Sequence, residues 1–181
     1  IGVNFSRGGG ALDSYITGRL VVRDSLFLNN VAENGNGGAI LNGFASGNNV
    51  FGTGLTTDIA STTVSGSTFI GNVALNGNGG AIASASDHIL PDNPASRSLV
   101  IDNSNFALNK ASGNGGAVYV ETSTLSDHKN IFLGNQAHMG DQLYGVGSIL
   151  NGIPSSSSNA YINQILTNKF LLLDNDDLYL A

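Results

Sequence analysis

The sequence predicts an all-β chain that winds into a parallel β-helix, a solenoid in which short strands of successive coils stack on one another. The main observation is a repeated pattern, Phe-x-x-Asn-x-Ala, followed 8 to 10 residues after the Phe by Gly-Gly-Ala and an aliphatic residue, with a worn fourth copy. Short strands are not stable alone, but stacked copies of one supersecondary unit bury a continuous core. The repeat therefore favours about five coils.

Composition limits the functional classes. The chain has 181 residues, which suits one domain, and 41% of them are apolar. Its formal net charge is -6, and its seven lysine and arginine residues are scattered. Because phosphate binding needs clustered basic side chains, the sequence excludes nucleic acid as a partner. It has no apolar run long enough for a transmembrane helix, and the absence of cysteine excludes a disulfide framework.

The strands are predicted in the same order in each copy. Residues 1–5 read as a strand and residues 9–12 as a fragment of an earlier copy, so we expect the chain to begin in mid-coil. The three complete copies each predict three strands joined by two tight turns. The predicted strands are residues 20–22, 25–30 and 38–41, residues 63–64, 67–70 and 80–83, and residues 99–101, 105–108 and 116–120.

A parallel β-helix accounts for each repeated residue. Equivalent residues of successive coils lie at roughly 4.8 Å, so the phenylalanines would form an internal stack and the asparagines a ladder at a bend. The glycines allow a backbone with positive φ where a Cβ would clash. We assign this structural role to Phe27, Asn30, Gly37, Gly38, Ala39, Phe69, Asn72, Gly79, Gly80, Ala81, Phe106, Asn109, Gly115, Gly116, Ala117, Phe132 and Asn135.

The spacing between copies predicts insertions at one corner. Successive repeat phenylalanines are 42, 37 and 26 residues apart, whereas the distance from each Phe to its Gly pair hardly changes. The extra length therefore falls after the Gly-Gly-Ala strand, in residues 43–62, 84–98 and 121–126. Insertions in a solenoid commonly gather on its binding face.

The last part of the chain departs from the pattern. We divide the domain into repeats over residues 1–144 and an atypical last coil, a cap or a projecting strand over residues 145–181. Terminal repeats are usually irregular because they must hide an open edge. Two open ends of different shape favour a head-to-tail contact. The predicted assembly surface consists of Ile1, Val3, Phe5, Phe170, Leu172, Leu178 and Leu180.

The repeated FxxN and GGA(I/L/V) segments resemble the repeats of the chlamydial polymorphic outer membrane protein family. The resemblance covers about residues 5–144, with three good copies and two degraded ones. It implies a right-handed parallel β-helix, secreted or displayed on the cell surface, and often adhesive or structural. The fourth copy departs from this pattern, with Gly140, Asp141 and Gln142 in place of Gly-Gly-Ala. The resemblance carries over no catalytic position.

An enzyme is the competing class, since β-helices also house polysaccharide lyases and hydrolases. Such sites need several titratable groups on one outer face, and we expect the outward positions near the repeat to be mostly Ser, Thr, Asn and Gly. The sharpest candidates are two Ser-Asp-His triplets, which supply Asp87, His88, Asp127 and His128. They could ligate a metal or carry a proton, or they could be solvated turns, which we expect.

We therefore expect an extracellular or cell-surface module that is structural or adhesive, has no catalytic constellation and uses no cofactor. Its partners would be itself, head to tail in a filament, or other surface proteins or glycans. Tyr119 and Tyr144 end equivalent strands, and outward aromatic side chains suit carbohydrate or protein contact, whereas inward packing or an isolated surface ring fits the sequence at least as well. The alternative function is a protein that binds or cleaves polysaccharide with the loops at the insertion corner.

Overall fold

A computed structural model of the chain describes residues 9–15, 19–44, 60–86, 97–121, 123–146, 149–151 and 178–180. This part of the chain is built from short β-strands. In chain order they are β1 (Leu12–Tyr15), β2 (Arg19–Arg23), β3 (Leu26–Leu28), β4 (Val31–Ala32), β5 (Ile40–Phe44), β6 (Ala60–Ser65), β7 (Thr68–Ile70), β8 (Val73–Ala74), β9 (Ile82–Ser86), β10 (Arg97–Asp102), β11 (Asn105–Ala107), β12 (Lys110–Ala111), β13 (Val118–Glu121), β14 (Thr124–His128), β15 (Ile131–Leu133), β16 (Leu143–Val146), β17 (Ile149–Asn151) and β18 (Leu178–Leu180).

The strands form four parallel sheets, which we name A to D. Sheet A has the order β1-β5-β9-β13-β16-β18, sheet B β17-β14-β10-β6-β2, sheet C β15-β11-β7-β3 and sheet D β12-β8-β4. The chain passes through sheets B, C, D and A in turn and then repeats the circuit, so each strand pairs with its equivalent one coil later. The prediction of an all-β parallel β-helix is confirmed. The prediction of three strands in each complete copy is wrong, because a fourth strand of two residues follows the asparagine bend and forms sheet D. The hand of the coil and the total number of coils stay predictions.

The core is a column of stacked side chains. Phe27, Phe69, Phe106 and Phe132 are in register in sheet C, and their ring centroids lie 4.7, 4.8 and 5.1 Å apart along the stack. The aliphatic residue after each Gly-Gly-Ala faces the same core from sheet A, as Ile82 does with no exposed surface. The predicted aromatic stack is confirmed, and it arises because equivalent residues repeat at the strand spacing.

The two glycines of each pair have different roles. The first lies at positive φ, as at Gly79 (φ 69°), where L side chains are strained. The second allows close approach of the next coil: a Cβ on Gly80 would lie 2.1 Å from the carbonyl oxygen of Gly116. Alanine at the second position would therefore force neighbouring coils apart.

A ladder of asparagine side chains runs along the corner between sheets C and D. The Asn30 amide donates to Asn72 Oδ1 at 2.8 Å, Asn72 to Asn109 at 2.8 Å and Asn109 to Asn135 at 2.9 Å. Each amide oxygen of the last three also accepts the backbone N–H of the preceding asparagine. The interior members donate a further bond to a phenylalanine carbonyl, so the buried polar groups of the ladder are paired.

The departure from the repeat in the fourth copy ends this ladder. Gln142, which replaces the alanine of Gly-Gly-Ala, accepts a hydrogen bond from the Asn135 amide on its Oε1 at 2.6 Å. Asp141 replaces the second glycine, and its carboxylate accepts the Ala137 N–H at 2.7 Å. The fourth copy therefore carries its own polar contacts in place of those that a further regular repeat would make.

The insertions lie where the sequence predicts them, but the predicted ranges are too wide. The length differences fall in the connections from sheet A to sheet B, after β5, β9 and β13. Their ends belong to strands: β5 continues to Phe44, β6 begins at Ala60 and β14 begins at Thr124. The repeat motif contains no signal for these strand ends, because they lie outside the repeated positions. The centres of the first two insertions lie outside the described residues.

The last part of the chain adds strands to existing sheets. Strand β17 pairs in parallel with β14, and β18 pairs in parallel with β16, with Leu178 opposite Leu143. The predicted strand at residues 1–5 lies outside the described residues. The division of the domain at residue 144 stays a prediction.

Candidate functional site

The weak metal candidates of the sequence do not converge where the structure describes them. Asp87 and His88 lie outside the described residues. Asp127 and His128 are consecutive residues of β14, and successive side chains of a strand point to opposite faces. Asp127 is in register with the buried Ile101, whereas His128 is exposed. In the described ranges, no three His, Asp or Glu side chains lie close enough together to hold a metal ion.

The Asp127 carboxylate has a structural contact. It accepts a short hydrogen bond from the side-chain amide of Asn130, which also donates to the carbonyl of Ile101 at 2.9 Å. The Asn130 Oδ1 accepts the backbone N–H of Ser104 at 2.8 Å. Asp127 therefore orients a buried asparagine at the corner between sheets B and C.

The predicted assembly surface falls largely outside the described residues. This holds for Ile1, Val3, Phe5, Phe170 and Leu172. Leu178 and Leu180 lie in β18, whose backbone pairs with β16 of the same chain. The end of the chain thus extends sheet A by one strand.

The two tyrosines stack on the outer face of sheet A. Tyr119 and Tyr144 have ring centroids 5.7 Å apart at an interplanar angle of 11°, and they are only 7% and 6% exposed. They pack with Leu41 and Ala83 in a second apolar cluster. Burial and then the neighbouring Glu121 carboxylate, which accepts a hydrogen bond from the Tyr119 hydroxyl, raise the pKa of Tyr119 well above its ordinary value. Rings buried in this way are not a platform for sugars, so the tyrosines give the polysaccharide alternative no support.

The outer face of sheet C carries a surface of another kind. Because the Phe of each three-residue strand points into the core, both of its neighbours point outward. We name the aliphatic face the set formed by these neighbours and one turn residue: Leu26, Leu28, Thr68, Ile70, Asn105, Ala107, Leu108, Ile131 and Leu133. Five of its large members are widely exposed: Leu26 by 63%, Leu28 by 53%, Leu108 by 64%, Ile131 by 43% and Leu133 by 60%.

Leu108 is held in an unfavourable conformation. Its φ is +56°, in the left-handed region where a branched apolar residue costs roughly 1 to 2 kcal/mol. The equivalent turn positions in the other coils are Asn29, Gly71 and Gly134, whose residue types suit positive φ. The leucine side chain is mostly exposed, so burial offsets little of this cost.

The expectation that outward positions near the repeat are mostly Ser, Thr, Asn and Gly is wrong for sheet C. The side chains beside Phe27 and Phe132 are aliphatic in all four cases. The signal was present in the alternation itself, because a residue next to an inward phenylalanine in a strand has to face outward. These neighbours differ from coil to coil, so the repeat pattern itself does not include them.

The chemistry of the aliphatic face suits contact and not catalysis. The four strands of sheet C contain no charged residue, and their aromatic rings are all in the core. Charged side chains flank the face at its turns, with Asp24 beside the first strand and Lys129 beside the fourth. Contiguous exposed apolar surface of this kind marks sites of interaction with other molecules.

Two segments of the chain match a family model. Residues 24–43 and 103–121 match the Chlamydia polymorphic membrane protein repeat. Each segment runs from the turn before a sheet C strand to the strand of sheet A that follows the glycine pair. The chain therefore carries this repeat at these two places, in agreement with the resemblance. No curated protein and no solved structure is similar enough to the chain to count as a match.

Hydropathy gives one further finding. The described residues include no helix with the length and apolar character needed to cross a membrane.

Proposed function

We propose that the chain is a non-enzymatic structural or adhesive β-helix module that is displayed outside the cell. The single observation that carries this proposal is the aliphatic face, because such a surface on a regular scaffold favours binding over chemistry. The stacked coils supply a rigid support, since the phenylalanine column and the asparagine ladder hold the strands of sheet C in fixed register.

The repeat supports the location. The matching family model is named for a membrane protein of Chlamydia. From that name we infer that this chain is displayed on the outside of the cell. The low charged fraction of 11% and the net charge of -6 agree with a module that meets other proteins and does not meet nucleic acid.

Attachment of coated beads to cultured cells tests the adhesive role. We expect beads coated with the chain to attach and the double variant Leu28→Asp with Leu133→Asp to reduce attachment about tenfold, since a desolvated apolar contact becomes a buried charge. Leu75→Asp is the matched control, because Leu75 is 51% exposed and lies outside the aliphatic face. Equal attachment of coated and uncoated beads would contradict the proposal.

Head-to-tail assembly is a second candidate that one observation favours. Within the described chain, β1 pairs only with β5 and β18 only with β16, so these two are the edge strands of sheet A in that part of the chain. Exposed sheet edges can pair with another chain. The phenylalanines at the two ends of the column expose little surface, 9% for Phe27 and 4% for Phe132. A head-to-tail contact would therefore bury little additional surface of the aromatic core.

Deletion of residues 178–181 tests this assembly. If β18 supplies the contact edge, rods that lengthen with protein concentration in negative-stain images and light scattering should shorten or vanish after the deletion. The Leu75→Asp chain should form rods like those of the unmodified chain. Rods of unchanged length after the deletion would exclude β18 as the contact.

A further inference from the structure

We propose that the aliphatic face binds a second copy of this chain, in a symmetric dimer whose coil axes run antiparallel. The inference rests on the proposed function, since it names the partner of the same contact surface. It differs from head-to-tail assembly, because the coils meet side by side and the contact closes after two copies.

The chemistry of the face selects a protein partner of the same apolar kind. An anionic membrane surface would be repelled by a chain with a net charge of -6 and no basic cluster. A glycan would require outward aromatic rings or several polar groups, and the phenylalanines of sheet C all point into the core. A flat aliphatic sheet face packs best against another sheet face, as in stacked sheets about 10 Å apart.

The area fits a second copy. The five exposed leucine and isoleucine side chains and the partly exposed residues between them offer on the order of 600 Å² per copy, so a dimer would bury on the order of 1,200 Å², the lower limit for a stable specific interface. The face is therefore large enough to hold a dimer.

A two-fold axis parallel to the strands makes the face complementary to itself. This axis reverses the order of the coils, so the first coil of one copy faces the fourth coil of its partner and the second faces the third. Leu28 then lies opposite the partner's Leu133, and Leu26 opposite the partner's Ile131. In the centre, Ile70 lies opposite the smaller Ala107, and the polar Thr68 lies opposite Asn105. Apolar residues thus meet apolar ones and polar residues meet polar ones, in register along the sheet.

The same axis also matches the charges at the edge of the face. Asp24 and Lys129 occupy equivalent turns between sheets B and C, in the first and the fourth coil, and both are exposed. Reversal of the coils brings Asp24 of each copy beside the partner's Lys129, which gives two opposite-charge pairs. A two-fold axis parallel to the coil axis would instead place Thr68 opposite the partner's Ile70. It would also leave Asp24 and Lys129 far from each other across the interface. Charge complementarity therefore favours the antiparallel arrangement.

Molar mass in solution is the first measurement. Light scattering and sedimentation over a range of concentrations should show a monomer and dimer equilibrium, and Leu28→Asp should weaken the dimer about tenfold or more. Leu75→Asp should leave it unchanged, and circular dichroism verifies the fold of both variants. A chain that stays monomeric at every concentration, or a dimer indifferent to Leu28→Asp, would overturn the inference.

Charge reversal then tests the arrangement. Asp24→Lys or Lys129→Asp alone places like charges together at two symmetric positions and should weaken the dimer about tenfold at low salt. The double variant restores opposite charges and should recover the affinity of the unmodified chain. Failure of the double variant to recover it would overturn the antiparallel arrangement.

Bead attachment separates this inference from the proposed function. If the chain is strictly monomeric and the double variant Leu28→Asp with Leu133→Asp still reduces its attachment to cells, that result would support the adhesive role and contradict the dimer. If the chain dimerises in solution but coated beads do not attach to cells, the dimer stands and the adhesive role is wrong.

Discussion

The hydroxyl of Tyr119 donates a hydrogen bond to the Glu121 carboxylate on the outer face of sheet A. The ring is stacked on Tyr144 and is almost completely buried, so the ionised phenolate would be placed in an apolar environment next to a negative charge. These two causes favour the neutral form of the side chain. Its position in the fold therefore couples the stability of the chain to alkaline pH.

We expect the free energy of unfolding to fall above about pH 10, the ordinary pKa of tyrosine. The folded-state pKa is raised, so the stabilisation is present below about pH 10 and is lost as the pH rises, by up to about 1.4 kcal/mol per pH unit. Tyr119→Phe should reduce this alkaline loss, at the cost of about 1 kcal/mol at neutral pH for the lost hydrogen bond. Urea unfolding at several pH values measures both effects. Identical alkaline slopes in the two chains would refute the coupling.

Among the elements, the strands of sheet C could be predicted well, and those at the insertion corner could not. The phenylalanine pattern placed β3, β7, β11 and β15 because an identical large residue recurs 8 to 10 residues before the first glycine of the next segment. Strands β6 and β14 begin in serine- and threonine-rich segments, where the repeat contains no anchoring residue. Their pairing depends on the coil above and below, which a local pattern does not encode.

The candidate site depends on the same distinction. The repeated residues are the strongest signal in the sequence, and they build the scaffold: the phenylalanines and the Gly-Gly-Ala alanines face the core, and the asparagines form the ladder. The aliphatic face is formed by their neighbours, which vary from coil to coil between Leu, Ile, Thr, Asn and Ala, so no repeat reveals it. Its position follows only when the strand alternation is combined with the register between coils. Asp127 and His128 point to opposite faces for the corresponding reason, since adjacent residues of a strand alternate in direction.

For the whole molecule, the asparagine ladder connects the coils from Asn30 to Gln142. If an interior asparagine is replaced, its neighbours lose their hydrogen-bond partners and water cannot reach them. The first member, Asn30, is partly exposed to solvent. A second row follows the corner between sheets B and C, where the Ser67 hydroxyl accepts the Ser25 N–H and the Ser104 hydroxyl accepts the Ser67 N–H. Polar groups stacked in this way fix the register in which coils can meet.

The cost of breaking the ladder should depend on position along the coil axis. Asn109→Ala leaves the buried N–H of Asn72 and the carbonyl of Phe69 without their present partners, so we expect a loss of about 3 kcal/mol in the free energy of unfolding. Asn30→Ala is the matched control: it removes one side-chain donor at the half-exposed first rung and should cost under about 1 kcal/mol. Denaturant unfolding of both variants measures the difference. Equal losses would mean that the ladder does not act as a buried column, because a column penalises a gap in its interior more than a missing end.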